Sequence, residues 1–189
     1  MMKRIMVLLV ALILSCTVFS AFAEGVIILS SPDMNHSSGN SSLDDMKLGE
    51  PIDTGDRIYT PQKYETKDMI QTTAYDYIKS GAEAEFLTLW IDVLNFSNKE
   101  QILLHDAQIV ATYESDRGAY QFGGNIYQCL ESCGPVKYNA ENMKPIQPLY
   151  NGYYLIYCAV PNFVINNAGE LKLEITSGTT KLTYFVRYE

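Results

Sequence analysis

The chain has 189 residues, with 14 Lys and Arg against 22 Asp and Glu, for a net charge of −8 at pH 7. Such an acidic surface repels phosphate backbones and anionic lipid, which sets nucleic acid aside as a partner. The length suits one folded domain.

The chain opens MMKRIMVLLVALILSCTVFSAFAEG. Lys3 and Arg4 form a short basic region, Ile5 to Phe19 is apolar, and Ala21-Phe22-Ala23 supplies the small residues of a cleavage site before Glu24. These are the marks of a secretory signal peptide over residues 1–23, removed in the mature protein. Losing Lys3 and Arg4 leaves the mature chain still more acidic. Ile13-Leu14-Ser15-Cys16 resembles a bacterial lipobox, although Leu14 is bulky and the apolar run continues through Val18, Phe19 and Phe22. Lipidation of Cys16 is therefore the alternative, and the one route by which this reading places the chain on a membrane. No other segment approaches the roughly 20 apolar residues of a spanning helix. The expected location is outside the cell or at the cell envelope.

Residues 24–45 contain "SSPDMNHSSGNSSLDD", rich in Ser, Asn, Gly and Asp. With almost nothing to bury, the segment reads as a flexible tether. The character changes to β from Met46. "KLGEPID" (47–53) and "MIQTTAYDYI" (69–78) are weak strands. "AEFLTLWIDVLNF" (84–96) is the strongest: Leu87, Leu89, Ile91 and Val93 alternate with Thr88, Trp90, Asp92 and Leu94, which predicts a strand with one face in a core. Asn95-Phe96-Ser97-Asn98 ends it with turn chemistry. "AQIVATYE" (107–114) and "AYQFGGNIYQ" (119–128) follow, the second holding Gly123-Gly124 as a bulge or tight hairpin. "YNGYYLIYCAV" (150–160), "LKLEITSG" (171–178) and "KLTYFVRY" (181–188) complete the series, the last two joined by a hairpin. No segment carries an apolar stripe at helical spacing over three turns. An all-β antiparallel sandwich of about 7–9 strands over residues 46–189 is the expected fold.

The run "KLGEPIDTG", then "EFLTLWIDVLNFSNKEQILLHDAQIVATYESDRGAY", "PIQPLYNGYYLIYCAVP" and "LKLEITSG…KLTYFVR" resembles a family of telokin-like, immunoglobulin-like extracellular domains of bacterial secreted proteins and lipoproteins. Leu89, Ile91, Val93 and Asn95 fit its strand-and-turn pattern and Val160-Pro161 its proline step, whereas Gln147 to Gly152 departs from its usual turn. The resemblance covers about Lys47 to Arg187. It implies an immunoglobulin-like sandwich in an extracellular setting and carries over no catalytic residue.

Asp53-Thr54-Gly55 is the triplet of aspartic proteases, but it occurs once and lacks the flanking apolar strand, so a turn is expected, with Asp53 bonding its own backbone. His105 and Asp106 are neighbours, and adjacent strand residues point to opposite faces, so they form no dyad. Glu83, Glu85, Asp92, Glu114, Asp116, Glu131 and Glu141 follow no calcium-loop spacing; a hydrolase would need two of them to converge. No cofactor motif is present. Aromatic residues crowd the second half, and Tyr120, Phe122, Tyr127, Tyr150, Tyr153 and Tyr154 are the candidate binding patch, tyrosine giving rigid contact area with a polar tip. Tyr153 and Tyr157 fall on one strand face and Tyr154 on the other.

The mature chain keeps Cys129, Cys133 and Cys158. In an oxidising compartment one internal bridge is expected and one thiol left over. The spacing of Cys129 and Cys133 differs from that of thioredoxin-type pairs, and a zinc site lacks a fourth ligand beyond His105. Cys129–Cys133 is the favoured pair, with a staple to Cys158 as the alternative. The function expected is an exported, non-enzymatic binding or accessory domain whose partner is a protein or glycan at the cell surface. A carbohydrate-binding module using surface tyrosines and a hydrolase with paired carboxylates are the alternatives.

Overall fold

The computed structural model describes residues 28–29, 43–72 and 76–187. Residues 1–23, read above as a signal peptide with Cys16 among them, and most of the 24–45 segment lie outside the described residues. In chain order the strands are β1 (Ile28–Leu29), β2 (Leu43–Met46), β3 (Ile52–Asp53), β4 (Arg57–Lys67), β5 (Met69–Gln71), β6 (Tyr77–Lys79), β7 (Ala84–Asn95), β8 (Gln108–Ser115), β9 (Gly118–Cys129), β10 (Val136–Asn139), β11 (Asn151–Pro161), β12 (Glu170–Ser177) and β13 (Thr180–Arg187). One short helix, α1 (Asn162–Asn166), follows β11. The all-β expectation holds. Seven strands, β4, β7, β8, β9, β11, β12 and β13, have eight or more residues, and the rest have four or fewer.

Two sheets share one strand. The first runs β2-β13-β12-β8-β9 and the second β9-β11-β7-β4-β3, with β10 also against β9. All these pairings are antiparallel except β2 with β13. Residues 118–123 of β9 pair with β8, and residues 124–129 pair with β11. Gly123-Gly124 is thus neither a bulge nor a hairpin. It is the corner at which one strand leaves one sheet for the other, a common way of joining packed sheets. Gly124 needs its missing side chain: a Cβ there would stand 2.5 Å from Cys158 Sγ, 2.5 Å from Ile109 Cγ2 and 2.6 Å from the Tyr157 carbonyl. Around Gly123 there is nothing within 4 Å.

Between the sheets lie Leu87, Leu89, Ile91 and Val93 of β7, Tyr154, Ile156, Cys158 and Val160 of β11, and Leu171, Leu173 and Ile175 of β12. The period of two that marked β7 in the sequence is this inner face. The expectation of a single buried face needs correction, because residues 86–91 of β7 are buried on both sides. Phe86 and Trp90 belong to a second apolar layer with Ile70, Cys129, Val136, Leu155 and Tyr157. The β5–β6 hairpin, formed from the segment read as one weak strand at 69–78, supplies Ile70 to it.

Other readings shift locally. In the 47–53 segment only Ile52–Asp53 is extended; Gly49, at φ +79, sits in a turn closed by Glu50 N–H to Lys47 O at 3.1 Å. Asp53-Thr54-Gly55 is the expected turn, with Gly55 N–H donating to Asp53 Oδ1 at 2.8 Å and Gly55 at φ +93. Within the 24–45 segment, β1 pairs with β9, and the residues of β2 pair with β13. The open side of the sandwich is bridged by polar groups: Arg57 Nη1 donates to Ser177 Oγ at 3.0 Å, and Ser177 Oγ donates to Asp106 Oδ1 at 2.8 Å. Tyr64 of β4 meets Tyr184 of β13 with ring centroids 5.5 Å apart.

The corner gives a paired prediction. Gly124→Ala forces a methyl into backbone and packed core, and costs about 3 kcal/mol in urea unfolding. Gly123→Ala meets open space and changes stability by less than about 0.5 kcal/mol.

Candidate functional site

The six aromatic residues of the candidate patch do not converge. Phe122 and Tyr154 are buried in the main core, Tyr154 at 1% exposure. Tyr127 and Tyr153 pack against the outer layer, where the Tyr127 ring stacks on Tyr157 at 5.5 Å. Tyr120 stacks on Tyr113 at 6.1 Å. Tyr150 alone stands free, 68% exposed. A tyrosine count marks strand-formers as readily as contact residues, and here most of the rings are structural.

Tyr150 has companions that composition did not single out. At the end of the second sheet where β7 stops and β11 begins, Leu149 is also 68% exposed and Phe96 51% exposed. The two loops that carry them are joined backbone to backbone: Asn95 N–H donates to Tyr150 O at 3.0 Å and Leu149 N–H to Asn95 O at 2.7 Å. Leu149 holds φ +66, a left-handed conformation that a non-glycine residue adopts at a cost. Asn95 organises both loops. Its side chain is fully buried, and its Nδ2 donates to Lys99 O and Ile146 O, each at 2.8 Å. Its Oδ1 accepts from Ser97 N at 3.1 Å and Ser97 Oγ at 2.7 Å. The turn chemistry legible at Asn95-Phe96-Ser97-Asn98 is this clamp. It holds an apolar tip of Phe96, Leu149 and Tyr150 in solvent.

At the opposite end of the second sheet, beyond β11, a cavity of about 410 Å3 opens beside the β8–β9 hairpin. Tyr120, Phe163, Asp116, Arg117 and Asn167 are among the residues lining it. Tyr113 backs the wall, its ring fixed by an O–H bond to Ala168 O. Phe163 is 51% exposed. Planar polar groups next to exposed rings can hold a polyhydroxylated ligand.

The acidic residues take separate partners. Glu114 pairs with Lys172 at 2.9 Å. Asp92 accepts from Ser132 Oγ at 2.9 Å and Gln62 Nε2 at 3.1 Å; burial raises its pKa against the pull of those two bonds. His105 Nδ1 lies 3.0 Å from Ile102 O while Asp106 accepts from Ser177, so the two neighbours indeed have different partners. Among the described residues no three His, Cys, Asp or Glu side chains gather as a metal site.

Cys129, Cys133 and Cys158 are free. The expected Cys129–Cys133 bridge is not formed. Cys129 is buried in the outer layer, whereas Cys133 stands exposed at φ +52 in a turn closed by Gly134 N–H to Glu131 O at 3.0 Å. The alternative staple fails on distance and on face. Cys129 pairs with Tyr153, and Cys158 lies five residues further along β11 in the main core. That separation is about 16 Å at the rise of a strand, against a disulfide limit of about 7 Å between Cα atoms.

Two predictions follow from these side chains. Asn95→Ala removes four hydrogen bonds of a buried side chain, leaving Lys99 O only its bond from Ser97 Oγ and Ile146 O only its bond from Gln101 N–H, and costs about 2–4 kcal/mol in urea unfolding. Burial pushes the Cys158 thiol from 9.0 up to about 12, and burial pushes Cys129 to about 12 as well. Folded thiols then keep protons that unfolded thiols release above pH 9. Stability from this source is complete below pH 9 and lost as pH rises towards 12, at up to about 1.4 kcal/mol per pH unit per thiol. Denaturation of wild type and Cys158→Ala at pH 8 and pH 11 checks the sign: the variant loses less.

No family model and no curated protein matches the chain. Among solved structures it is similar to an uncharacterised β-sandwich protein of Clostridium difficile 630, with a TM-score of 0.64 and 15% identity over 81% of this chain and 100% of that one. It is also similar to a conserved hypothetical protein of Bacillus anthracis, with a TM-score of 0.48 and 12% identity over 69% of this chain and 89% of that one. At this identity the first likeness speaks for the fold alone, and the fold is a β-sandwich.

Proposed function

We propose that this protein is an exported, non-enzymatic binding or accessory domain of immunoglobulin-like type. In this reading it acts outside the cell or at the envelope and docks on a partner protein through Phe96, Leu149 and Tyr150. The signal peptide supports export. The observation that carries the docking site is the strained, solvent-facing Leu149, set beside two exposed aromatic rings on loops tied by a fully bonded Asn95. Backbone strain of this kind persists only where the surrounding structure fixes it, and it concentrates at functional positions. A leucine offers no flat face to a sugar, so the tip suits an apolar pocket on a protein. The net charge of −8 disfavours anionic lipid as the occupant.

The test uses the mature protein and a triple variant, Phe96→Ser with Leu149→Ser and Tyr150→Ser, as crosslinking baits on envelope extracts. A protein enriched by wild type and lost with the variant is expected, each anchor contributing about 2 kcal/mol or some 30-fold in affinity. Identical capture by both baits sinks the docking site. Concentration-dependent dimerisation that the variant abolishes would replace the partner protein by a second copy of the chain.

A second reading has its own observation, the cavity with Tyr120, Phe163, Asp116, Arg117 and Asn167, which favours a glycan at the other end of the domain. Saturable binding on a glycan array, lost in Phe163→Ala and kept in the triple tip variant, would support it over protein docking.

A further inference from the structure

A third region belongs to neither end. On the outer face of the second sheet, between the β5–β6 hairpin and residues 130–135, lies a cavity of about 430 Å3, within the range of small-molecule sites. Its walls include Lys67, Ile70, Trp90, Val136, Leu155 and Cys133. Ile70, Trp90, Val136 and Leu155 are buried members of the outer apolar layer. Two polar features stand at or behind this wall. Trp90 is only 6% exposed, and among the described residues its Nε1 has no hydrogen-bond partner. A buried unpaired donor costs about 1–3 kcal/mol. The second feature is positive charge. The ammonium groups of Lys63 and Lys67 stand 5.1 and 4.7 Å from the Trp90 ring centroid, and both lean on the one carboxylate of Glu65. Burial, and then the neighbouring Lys63, lower the Lys67 pKa. The opposing charge at the cavity is Glu131, which folds back over Gly134, its Cγ 2.3 Å from where a Gly134 Cβ would stand.

We propose that this cavity binds a small organic acid with an apolar body. The apolar part lies against Ile70, Val136 and Leu155 beside the Trp90 ring, and the carboxylate is held by Lys67. The proposal is independent of the docking tip.

Trp90 is the only tryptophan of the chain, so its emission reports on this cavity. The intact mature protein is titrated with decanoate, with decanol as the uncharged control, and anilinonaphthalene sulfonate displacement provides a second readout. A saturable change with decanoate is expected in both signals. Lys67→Met weakens it about tenfold, the loss of one charge-assisted contact, while Lys67→Arg retains it. Glu131→Gln tightens it several-fold, and Phe96→Ala leaves it unchanged. Circular dichroism and melting confirm that Lys67→Met is folded. The proposal is overturned if decanol binds as tightly as decanoate, if folded Lys67→Met binds decanoate like wild type, or if neither signal changes up to millimolar decanoate.

Discussion

The fold depends on one strand being hydrogen-bonded in two sheets. β9 serves β8 with its first half and β11 with its second, and the change of partner happens over two glycines. At Gly124 the neighbouring strands come so close that the Cys158 sulfur, the Ile109 side chain and the Tyr157 carbonyl together fill the place of a side chain. That contact fixes how far apart the sheets can be at the corner. It also explains a small residue at 158, since the thiol occupies the space directly beneath the crossing. β11, held there from one side and by β7 from the other, becomes an interior strand of the second sheet, and its two ends position the apolar tip and the aromatic cavity.

The long strands were legible because their inner faces keep strict period two. Leu87, Leu89, Ile91 and Val93 of β7 and Leu171, Leu173 and Ile175 of β12 are the core residues that alternation predicts. β4 was not legible, for a definite physical reason. Tyr59, Pro61 and Tyr64 point inward, but the register shifts between Pro61 and Lys63, so a bulge at Gln62 moves the pattern from a spacing of two to one of three. Lys63, Glu65 and Lys67 face outward along the part of β4 that has no second strand partner, where charge discourages pairing with other chains. Such a segment reads as polar and irregular in sequence. The buried outer face of β7 was likewise hidden, because the cover comes from a short polar-looking hairpin just before it and from a loop well after it in the chain.

The candidate site was legible in its chemistry more than in its members. Asn95 announces a turn, and the structure turns that local signal into a clamp on two loops 51 residues apart. The same signal says nothing of Leu149, whose exposure follows from a left-handed backbone that no residue type at that position advertises. The tyrosines misled by number. Parity along β11 correctly separates Tyr153 and Tyr157 from Tyr154, but parity cannot say that the outer face is roofed, and Tyr157 is buried against Phe86 with rings 5.2 Å apart. Cysteine spacing misled in the same way, since sequence proximity of Cys129 and Cys133 carries no information on which side of the loop each thiol stands.

The roof itself ties structure to function. A two-stranded hairpin is marginal in water by itself, so β5–β6 is held by what lies beneath it, chiefly Ile70 against the outer layer. Among the described residues, the loop after β9 is held by the Ser132 to Asp92 side-chain bond together with its own turn. Both covers are therefore weaker units than the sheet they protect, and such units open before the core does. The Trp90 cavity lies between them. A molecule that fills it adds its binding free energy to the closed arrangement of both covers at once, by ordinary linkage. Occupancy then registers as order in the hairpin and the Cys133 loop, while the β9 crossing and the Asn95 clamp, which rest on the main core and its loops, stay as they are.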